Sequence, residues 1–170
     1  MVVVWSMSSS SSTTASVPDL GKVAPGFTLP DVEMKNRSLE DFRGNKLVLA
    51  FFPAAESPVC TSEMCALRDS VDMLKSLGAQ VIGISVDGPF ANKIFTENRQ
   101  LNFPILSDFK REVINKYGIV MPNLGPLEGY DAAKRSVFVL DENGIIKYRW
   151  VSDNPLVEPN YGEIKHALEK

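Results

Sequence analysis

The sequence predicts an α/β fold in which helices cover both faces of a mixed β-sheet. Two near-continuous apolar runs, at 46–52 and 81–86, are typical of strands that are buried on both faces. Between and after these runs, apolar residues recur at helical spacing, and a strand–turn–strand pattern precedes the last helix. The predicted order is therefore β-α-β-α-β-α-β-β-α, in which strands and helices alternate as they do in α/β folds.

The first half of the chain supplies the predicted central strand and the longest helix. A short strand pair is indicated near 27–32, and the run S-L-E-D-F at 38–42 has the pattern of a capped helical turn. The strand at 46–52 stops at Pro53, because proline cannot continue the ladder of a central strand. The helix that follows carries an apolar stripe at steps of three and four, closed by Gly78: Met64, Leu67, Val71, Leu74 and Leu77.

The second half of the chain predicts shorter elements. After the strand at 81–86, the pattern indicates a helix over 89–100, a short strand over 103–106, a helix over 110–117, a hairpin over 136–151 and an amphipathic helix from Tyr161. Residues 119–133 contain two prolines and two glycines, and we expect them to form a long loop.

Composition argues against several classes of function. The chain has 170 residues, a formal net charge of −3 and a hydrophobic fraction of 44%, which together predict one compact domain. No block of Lys or Arg could follow a phosphate backbone, and the longest apolar stretches are far shorter than the roughly 20 residues of a membrane span. We expect neither nucleic-acid nor membrane binding. Two cysteines and one histidine cannot form the usual four-ligand zinc site, and no glycine-rich phosphate loop is present.

Residues 1–18 form an uncharged Ser/Thr-rich segment with too few apolar residues to offset its ordering entropy. We expect a disordered tail there and a domain over 19–170. The segment lacks the features of a secretory signal and the arginines of a transit peptide, and Met7 is a second candidate start. The default expectation is a cytoplasmic protein, in which a cysteine pair is redox-active more often than it is a structural disulfide.

The chemistry is predicted where the central strand ends, in the run from Phe51 to Cys65. Ser57 has the position of a helix N-cap and Pro58 that of the first helical residue, so Cys60 lies in the first turn. There, unpaired N–H groups and the helix dipole favour a negative charge, and the thiolate is the reactive form of cysteine. Cys60 is therefore a candidate nucleophile, although its place on the apolar face also fits a plain core cysteine.

Cys65, five residues later, is the only other cysteine. In an intact helix the two Cα atoms are roughly 8.6 Å apart, whereas a disulfide needs less than about 7 Å. The pair can bond only if the first helical turn unwinds, which suggests a conformational cycle; two unrelated cysteines are the alternative. Cys65 also falls beside Asp69 and Asp72 on the polar side, where a partner reaches it more easily than a core thiol.

These residues resemble the peroxiredoxins. The run F-F-P-x3-S-x2-C-x4-C at 51–65 is followed by A-L-R-D, and the five-residue cysteine offset is similar to that of the peroxiredoxin Q (bacterioferritin comigratory protein) subfamily. The resemblance extends over about residues 20–151. Three further motifs match in order: V-A-P-G-F-T-L-P-D at 23–31, L-E-D-F-R-G at 39–44 and K-R-S-V-F-V-L-D-x-x-G at 134–144.

The resemblance implies a thioredoxin-like fold and a thiol-dependent peroxidase that reduces hydrogen peroxide and alkyl hydroperoxides. By this resemblance, Cys60 is the peroxidatic cysteine, which becomes a sulfenic acid, and Cys65 is the resolving cysteine. Their intramolecular disulfide is reduced by thioredoxin or a similar dithiol. No metal or bound cofactor is needed, and the protein is expected to be a monomer or a homodimer.

The resemblance also assigns roles to four residues around Cys60. Pro53 shields the site, Ser57 holds the peroxide through its hydroxyl, and Arg135 activates thiolate and substrate. Glu63 matches a position that hydrogen-bonds this arginine. Lowering the pKa of a thiol increases its thiolate fraction but decreases its nucleophilicity. We therefore expect Ser57, Arg135 and the backbone N–H of Cys60 to act mainly on the charge that develops on the leaving oxygen.

The chain departs from the family pattern at a few positions. Ser57 stands where Thr is usual, which keeps the hydroxyl but loses the methyl group that stiffens the rotamer. Val59 stands where Gly is frequent. Arg135 is chosen over Lys134 because of its register in the following strand. Arg68 is a weaker candidate for a second basic contact; the alternative is a solvated helix residue paired with a nearby aspartate.

Two other functions fit the same scaffold. A thiol–disulfide oxidoreductase acting on protein disulfides would normally show C-x-x-C, whereas this chain has C-x4-C. A non-catalytic redox sensor or chaperone-like binding protein would react with peroxide no faster than a free thiol. His166 is expected on the surface of the last helix rather than in a site.

Overall fold

A computed structural model describes residues 15–170 of the chain. The strands are β1 (Thr28–Pro30), β2 (Asn36–Ser38), β3 (Lys46–Phe51), β4 (Ala79–Ser85), β5 (Ile105–Ser107), β6 (Val120–Met121), β7 (Ala132–Ala133), β8 (Arg135–Leu140) and β9 (Ile146–Ser152). The helices are α1 (Pro58–Ser76), α2 (Pro89–Arg99), α3 (Glu112–Lys116) and α4 (Tyr161–Glu169), with a short 3-10 helix over Leu39–Phe42. A five-stranded mixed sheet of order β5-β4-β3-β8-β9 forms the centre, which confirms the predicted α/β class.

The pairing of β3 brings two distant parts of the chain to one end of the sheet. β3 is parallel to β4 and antiparallel to β8, and Phe51 lies opposite both Ile84 and Ser136. Because antiparallel neighbours run in opposite directions, Arg135, the first residue of β8, lies beside the carboxyl end of β3. The chain leaves β3 at this same end and continues into α1.

Successive side chains of the central strand face two separate cores, because strand side chains alternate between the faces of a sheet. The odd-numbered residues of 47–51 pack with the 3-10 helix and α3. In this core the ring of Phe51 lies 5.2 Å from that of Tyr117 and 5.9 Å from that of Phe138. The even-numbered residues of 48–52 pack against α1, α2 and α4. Helices therefore cover both faces, as predicted.

The predicted apolar stripe packs α1 against the sheet, since Met64, Leu67, Val71 and Leu74 are all buried. Each such side chain contributes roughly 1.5–3 kcal/mol on burial. Gly78 follows the helix at a φ of 76°, a left-handed conformation that lets the chain turn directly into β4. This packing anchors the helix whose first turn carries Cys60.

Three details differ from the sequence prediction. The strand pair expected near 27–32 has its second strand later, at Asn36–Ser38, because Val32 lies in the turn between the strands. The expected loop at 119–133 contains a two-stranded pair, with Val120 opposite Ala133, which is too short to produce an apolar pattern. The helix expected over 110–117 is shortened to α3. Its N-terminus forms where the Asp108 carboxylate accepts hydrogen bonds from the N–H groups of Val113 and Ile114, at 3.2 and 2.9 Å. A tertiary contact rather than a local pattern therefore decides where this helix begins.

Residues 15–18, the last four of the predicted tail, lie against the domain. Val17 packs against the core, and Arg149 donates hydrogen bonds to the carbonyls of Val17 and Pro18 at 3.1 and 2.7 Å. A Cβ atom at Gly118 would lie 2.4 Å from the carbonyl oxygen of Ala15. Residues 15–17 can therefore lie this close to position 118 only because it is a glycine. The rest of the predicted tail, residues 1–14, lies outside the described residues.

The expectations for the end of the chain are confirmed. Tyr148, Trp150 and Tyr161 pack partly against the core between the β8–β9 hairpin and α4. The side chain of His166 is 68% exposed and lies 4.0 Å from Glu169. None of the helices in the described range 15–170 combines the length and apolar character needed to cross a membrane.

Candidate active site

The candidate site lies at the carboxyl end of β3, where a short loop leads into α1. Pro53, two residues after the strand, is buried. The loop is held on one side by the N–H of Ala55, which donates to the Asp87 carboxylate at 2.8 Å. It is held on the other by Glu56, which has a left-handed φ of 63° and pairs with Arg99 of α2 at 2.6 Å. The start of α1 is therefore fixed by neighbouring elements.

Ser57 immediately precedes α1, as predicted, and Pro58 is the first helical residue. The Ser57 hydroxyl does not cap the helix but donates to the carbonyl oxygen of Ala54 at 2.9 Å. Its backbone carbonyl accepts the helical hydrogen bond from Thr61, also at 2.9 Å. Because the hydroxyl proton is engaged with Ala54, the Ser57 oxygen retains lone pairs that can accept a hydrogen bond.

Cys60 is the third residue of α1 and is completely buried, with 0% exposure. Within the described part of the chain, no carbonyl accepts a hydrogen bond from the N–H of Val59 or of Cys60. This is the normal state of the first N–H groups of a helix. Together with the helix dipole, these free donors favour a negative charge at the Cys60 sulfur or on an atom that reacts with it.

Arg135 contacts the Cys60 sulfur with its guanidinium. Its Nη2 donates to Sγ at 3.2 Å, and its Nη1 donates to Glu63 Oε2 at 2.5 Å. The carbonyl oxygen of Pro155 accepts from both Nε, at 3.2 Å, and Nη2, at 2.6 Å. Arg135 is only 1% exposed, and a charge buried this deeply needs such partners. These contacts give the planar guanidinium a single orientation, with one N–H directed at the sulfur.

Glu63 is the buried acid of the site and lies one helical turn after Cys60. Burial raises the pKa of Glu63 to about 7, although the charge and hydrogen bond of Arg135 lower it. Its Oε1 has no hydrogen-bond partner among the described residues. Burial also disfavours the charge of Arg135, but Cys60 and Glu63 outweigh this effect and raise the pKa of Arg135. The Arg135 guanidinium therefore donates hydrogen bonds to two acidic groups, the Glu63 carboxyl and the Cys60 thiol.

Cys65 lies on the same uninterrupted helix and is half-buried, and both cysteines are free thiols. Helix geometry separates the Cα atoms of Cys60 and Cys65 by roughly 8.6 Å, beyond the limit of about 7 Å for a disulfide. A bond between the two sulfurs therefore requires the first turn of α1 to unwind.

The other predicted basic residues do not contact this site. Arg68 lies 2.9 Å from Asp69 and donates to the carbonyl oxygen of Arg99 at 2.6 Å, which is the surface pairing that the sequence left as the alternative. Lys134 pairs with Asp153 at 2.6 Å. Among the candidates, Arg135 is the basic residue that the structure brings to Cys60, as its register indicated.

The segment that follows β9 also contributes to the site, and it was not among the residues predicted from the sequence. The carbonyl of Pro155 binds Arg135, and Glu158 Oε1 accepts hydrogen bonds from Ser62 Oγ at 3.2 Å and from the Tyr161 hydroxyl at 2.6 Å. A backbone carbonyl leaves no signal in the sequence, and no local pattern links these residues to α1. Their proximity is a product of the tertiary fold.

Cys60 is fully buried, and a cavity of about 830 Å³ lies elsewhere, between α4 and the β8–β9 turn. Lys46, Tyr148 and His166 line part of that cavity, and none of the predicted site residues does. The fully buried Cys60 sulfur favours a reactant whose reacting end has few atoms.

Comparisons with known proteins agree on one family. Residues 20–149 match the family model described as the AhpC/TSA family. Peroxiredoxin Q, chloroplastic, from Gentiana triflora is 41% identical over 127 residues, which are 75% of this chain and 56% of the relative. Peroxiredoxin Bcp from Escherichia coli (strain K12) is 38% identical over 128 residues, 75% of this chain and 82% of the relative. The chain thus spans little more than half the length of the plant relative.

Solved structures share the fold. The crystal structure of peroxidoxin BcpB from Mycobacterium tuberculosis has a TM-score of 0.74 and 30% identity, over 88% of this chain and 93% of that one. A peroxiredoxin-like protein from Aquifex aeolicus has a TM-score of 0.80 and 25% identity, over 92% and 89% of the two chains. These neighbours confirm the thioredoxin-like fold. With a family match across most of its length and relatives near 40% identity, the chain belongs to the AhpC/TSA family and is similar to the Q and Bcp peroxiredoxins.

Proposed function

We propose that this chain is a thiol-dependent peroxidase that reduces hydrogen peroxide and alkyl hydroperoxides at Cys60. The observation that carries the proposal is the hydrogen bond from the buried Arg135 guanidinium to Cys60, a cysteine in the first turn of a helix. The distance from Arg135 Nη2 to Cys60 Sγ is 3.2 Å. Membership of the AhpC/TSA family supports the same reaction, since the relatives are named peroxiredoxins.

In the first step, the Cys60 thiolate attacks one oxygen of the peroxide. The S–O bond forms while the O–O bond breaks, and the leaving oxygen takes both electrons of that bond. A proton then converts the leaving oxygen to water or to an alcohol. The peroxide is reduced by two electrons, and Cys60 becomes a sulfenic acid.

Arg135 and the helix N-terminus stabilise the charge that moves during this step. Arg135 Nη2 already contacts the attacking sulfur, and the free N–H of Cys60 lies in the same turn. Hydrogen-bond donors that are fixed before the reaction stabilise a developing oxyanion without reorganising, and a single donor of this kind typically contributes 10²–10³ in rate. Glu63 and the Pro155 carbonyl act as positioning groups, because they hold the guanidinium rather than the peroxide.

Ser57 accepts a hydrogen bond from the peroxide, rather than donating one to the leaving oxygen as the sequence suggested. Its hydroxyl hydrogen is directed to the Ala54 carbonyl, so its oxygen is free to accept a hydrogen bond from the O–H of the peroxide. This contact selects a substrate with a terminal O–H and orients its O–O bond toward Cys60. Buried Pro53 limits the access of water from the side of the loop.

The second step joins Cys60 to Cys65, and an external dithiol of the thioredoxin type reduces the resulting disulfide. Cys65 suits the role because its side chain is half-buried and lies on the same helix. The disulfide requires the first turn of α1 to unwind, as the separation in the intact helix indicates.

The test is alkylation and intact mass before and after about one equivalent of hydrogen peroxide, on wild type and on Cys65→Ser. We expect the two free thiols of wild type to fall to none, and Cys65→Ser to accumulate a dimedone-trappable sulfenic acid on Cys60. If both thiols of wild type survive this treatment, the peroxidase proposal is wrong, and a thiol–disulfide oxidoreductase or a redox sensor takes its place.

A further inference from the structure

The connection between β9 and α4 reaches across to the active site. We refer to residues 153–158 of this connection as the strap. At Pro155, the strap provides the carbonyl that accepts two hydrogen bonds from Arg135, at 3.2 and 2.6 Å. At Glu158, it provides the carboxylate that accepts a hydrogen bond from Ser62 of α1 at 3.2 Å. The strap therefore contacts both the arginine and the helical turn that carries Cys60.

Polar contacts of Pro155 and Glu158, rather than apolar packing of the residues between them, hold the strap in place. Leu156 and Val157, in its middle, are 73% and 44% exposed. Glu158 is supported from behind by the hydroxyl of Tyr161, the first residue of α4, which donates to the same Oε1 at 2.6 Å. Because so little apolar surface is buried here, Glu158 can separate from Ser62 without disturbing the core, while Pro155 keeps its hydrogen bonds to Arg135.

Ser62 lies between the two cysteines, two residues after Cys60 and just beyond the first turn of α1. Its hydrogen bond to Glu158 depends on the position that the intact helix gives its side chain, so unwinding of α1 between Cys60 and Cys65 removes the geometry for this bond. An interaction made in one of two states shifts the equilibrium toward that state.

We propose that Glu158 is a latch: through Ser62, it keeps the start of α1 folded around the Arg135 site and thereby sets the rate at which Cys60 sulfenic acid is resolved by Cys65. This proposal rests on the proposed function. Glu158 is a positioning residue, because it touches neither sulfur nor peroxide.

The step that the latch controls is a condensation. The Cys65 thiolate attacks the Cys60 sulfur, the S–S bond forms, and the S–O bond of the sulfenic acid breaks. The oxygen leaves with the electron pair of that bond and, after protonation, departs as water, so no further oxidant is required. While the turn is latched, a second peroxide can oxidise the sulfenic acid to sulfinic acid instead. The latch therefore sets the competition between resolution and overoxidation.

The first experiment measures opening of the turn without any peroxide. Amide exchange is followed by NMR at Thr61, whose N–H bonds the Ser57 carbonyl, and is compared with amides of β3 that report global unfolding. In Glu158→Ala we expect Thr61 exchange to rise about three- to tenfold, the effect of losing one hydrogen bond, with β3 amides unchanged. Glu163→Gln is the matched control, because this α4 carboxylate bonds Tyr148 and not α1. Unchanged Thr61 exchange in Glu158→Ala overturns the proposal.

The second experiment measures the conversion of sulfenic acid to disulfide by rapid quench and mass spectrometry. Glu158→Ala and Ser62→Ala should each accelerate this conversion about three- to tenfold and reduce sulfinic acid at excess peroxide. The double variant should be no faster than either single one, because both remove the same contact. Glu158→Gln, which keeps an acceptor oxygen, should restore the wild-type rate at least in part.

The outcomes separate the latch from the peroxidase reaction itself. If wild type forms no sulfenic acid, the proposed function is wrong, while Thr61 exchange still decides whether Glu158 holds the turn. If wild type forms the disulfide and the four variants resolve at its rate, the latch is wrong and the proposed function stands. Additive effects of Ser62→Ala and Glu158→Ala would also overturn the latch, since they would place the two residues in separate interactions.

Discussion

Cys60 and Cys65 each have an arginine nearby, and the two pairs are built differently. Arg135 is fully buried and directs an N–H at the Cys60 sulfur. Arg68 is partly exposed and directs its N–H groups at the Asp69 carboxylate and at a backbone carbonyl. The pKa of Arg68 is raised mainly by the hydrogen bond to Asp69 and to a smaller extent by the charge of Cys65. A nearby positive charge therefore does not distinguish the two cysteines, since both have one. They differ in whether the arginine is buried and whether one of its N–H groups points at the sulfur.

This difference fits a division of labour within one helix. A nucleophile that must stabilise a developing charge benefits from fixed donors and exclusion of water. A thiol that must react with a second sulfur, and later with a reductant, benefits from partial exposure and from having few fixed contacts around it. Substitutions at each cysteine and its surroundings test this division.

The largest expected effect comes from the cysteines themselves. Cys60→Ser should lower the second-order rate of peroxide consumption by about a thousandfold or more, because no residue within 15–170 directs a hydrogen-bond donor at the sulfur of the remaining thiol. Cys65→Ser should leave the first turnover unchanged and stop later turnovers with a dithiol reductant. Stopped-flow peroxide consumption under single and multiple turnover measures both. Equal losses of the first turnover in the two variants would contradict the division.

Arg135→Lys should reduce the rate of sulfenic acid formation by about 10²–10³-fold, since a point ammonium cannot hold Cys60, Glu63 and a carbonyl in one plane. Arg68→Lys is the matched control, and we expect it to change the rate less than about twofold. Competition against a peroxidase of known rate gives both values. A comparable loss in the Arg68 variant would show that overall charge, rather than donor direction, activates Cys60.

Glu63→Gln should change how stability depends on pH. The pKa of Glu63 is raised from 4.5 to about 7, so the folded state binds this proton more tightly than the unfolded state does. The stability that this tighter proton binding adds to the folded state is fully present below pH 4.5 and is lost as pH rises through 7. The loss amounts to about 3 kcal/mol in the free energy of unfolding. The variant should lack this decline, as urea unfolding between pH 4.5 and 8 would show.

Glu163→Gln serves as the control for that measurement, because its carboxylate accepts a hydrogen bond from the hydroxyl of half-buried Tyr148, outside the site. It should decline with pH as wild type does. A decline of the same size in Glu63→Gln would mean that another group of the site takes up the proton.

The smallest expected effect is at Ser57. Ser57→Ala removes one hydrogen-bond acceptor for the peroxide and should slow sulfenic acid formation by about tenfold. Ser57→Thr keeps the hydroxyl and stiffens its rotamer, so it should retain or exceed the wild-type rate. Rapid-mixing kinetics with hydrogen peroxide measures both. A Thr variant as slow as the Ala variant would argue against a role for the hydroxyl.

Most of the fold and much of the site were predictable because they depend on local patterns. The apolar run of β3, the stripe of α1 and the Ser57-Pro58 start of the helix are signals within a few residues of one another. These signals also place Cys60 in the first turn. The roles of Arg135 and Glu63, by contrast, came from resemblance, since 72 residues separate them along the chain.

Local patterns in the sequence account for the α/β class, for the helix that carries both cysteines and for the separation that keeps them from bonding while that helix is intact. The tertiary fold places the start of β8 beside the end of β3, the Pro155 carbonyl against the guanidinium, and Glu158 against Ser62 near the start of α1. The two sets of features differ in how far apart along the chain the interacting residues lie. Helix and strand signals act over a few residues, whereas these contacts depend on strand register and on a backbone carbonyl that any residue could supply.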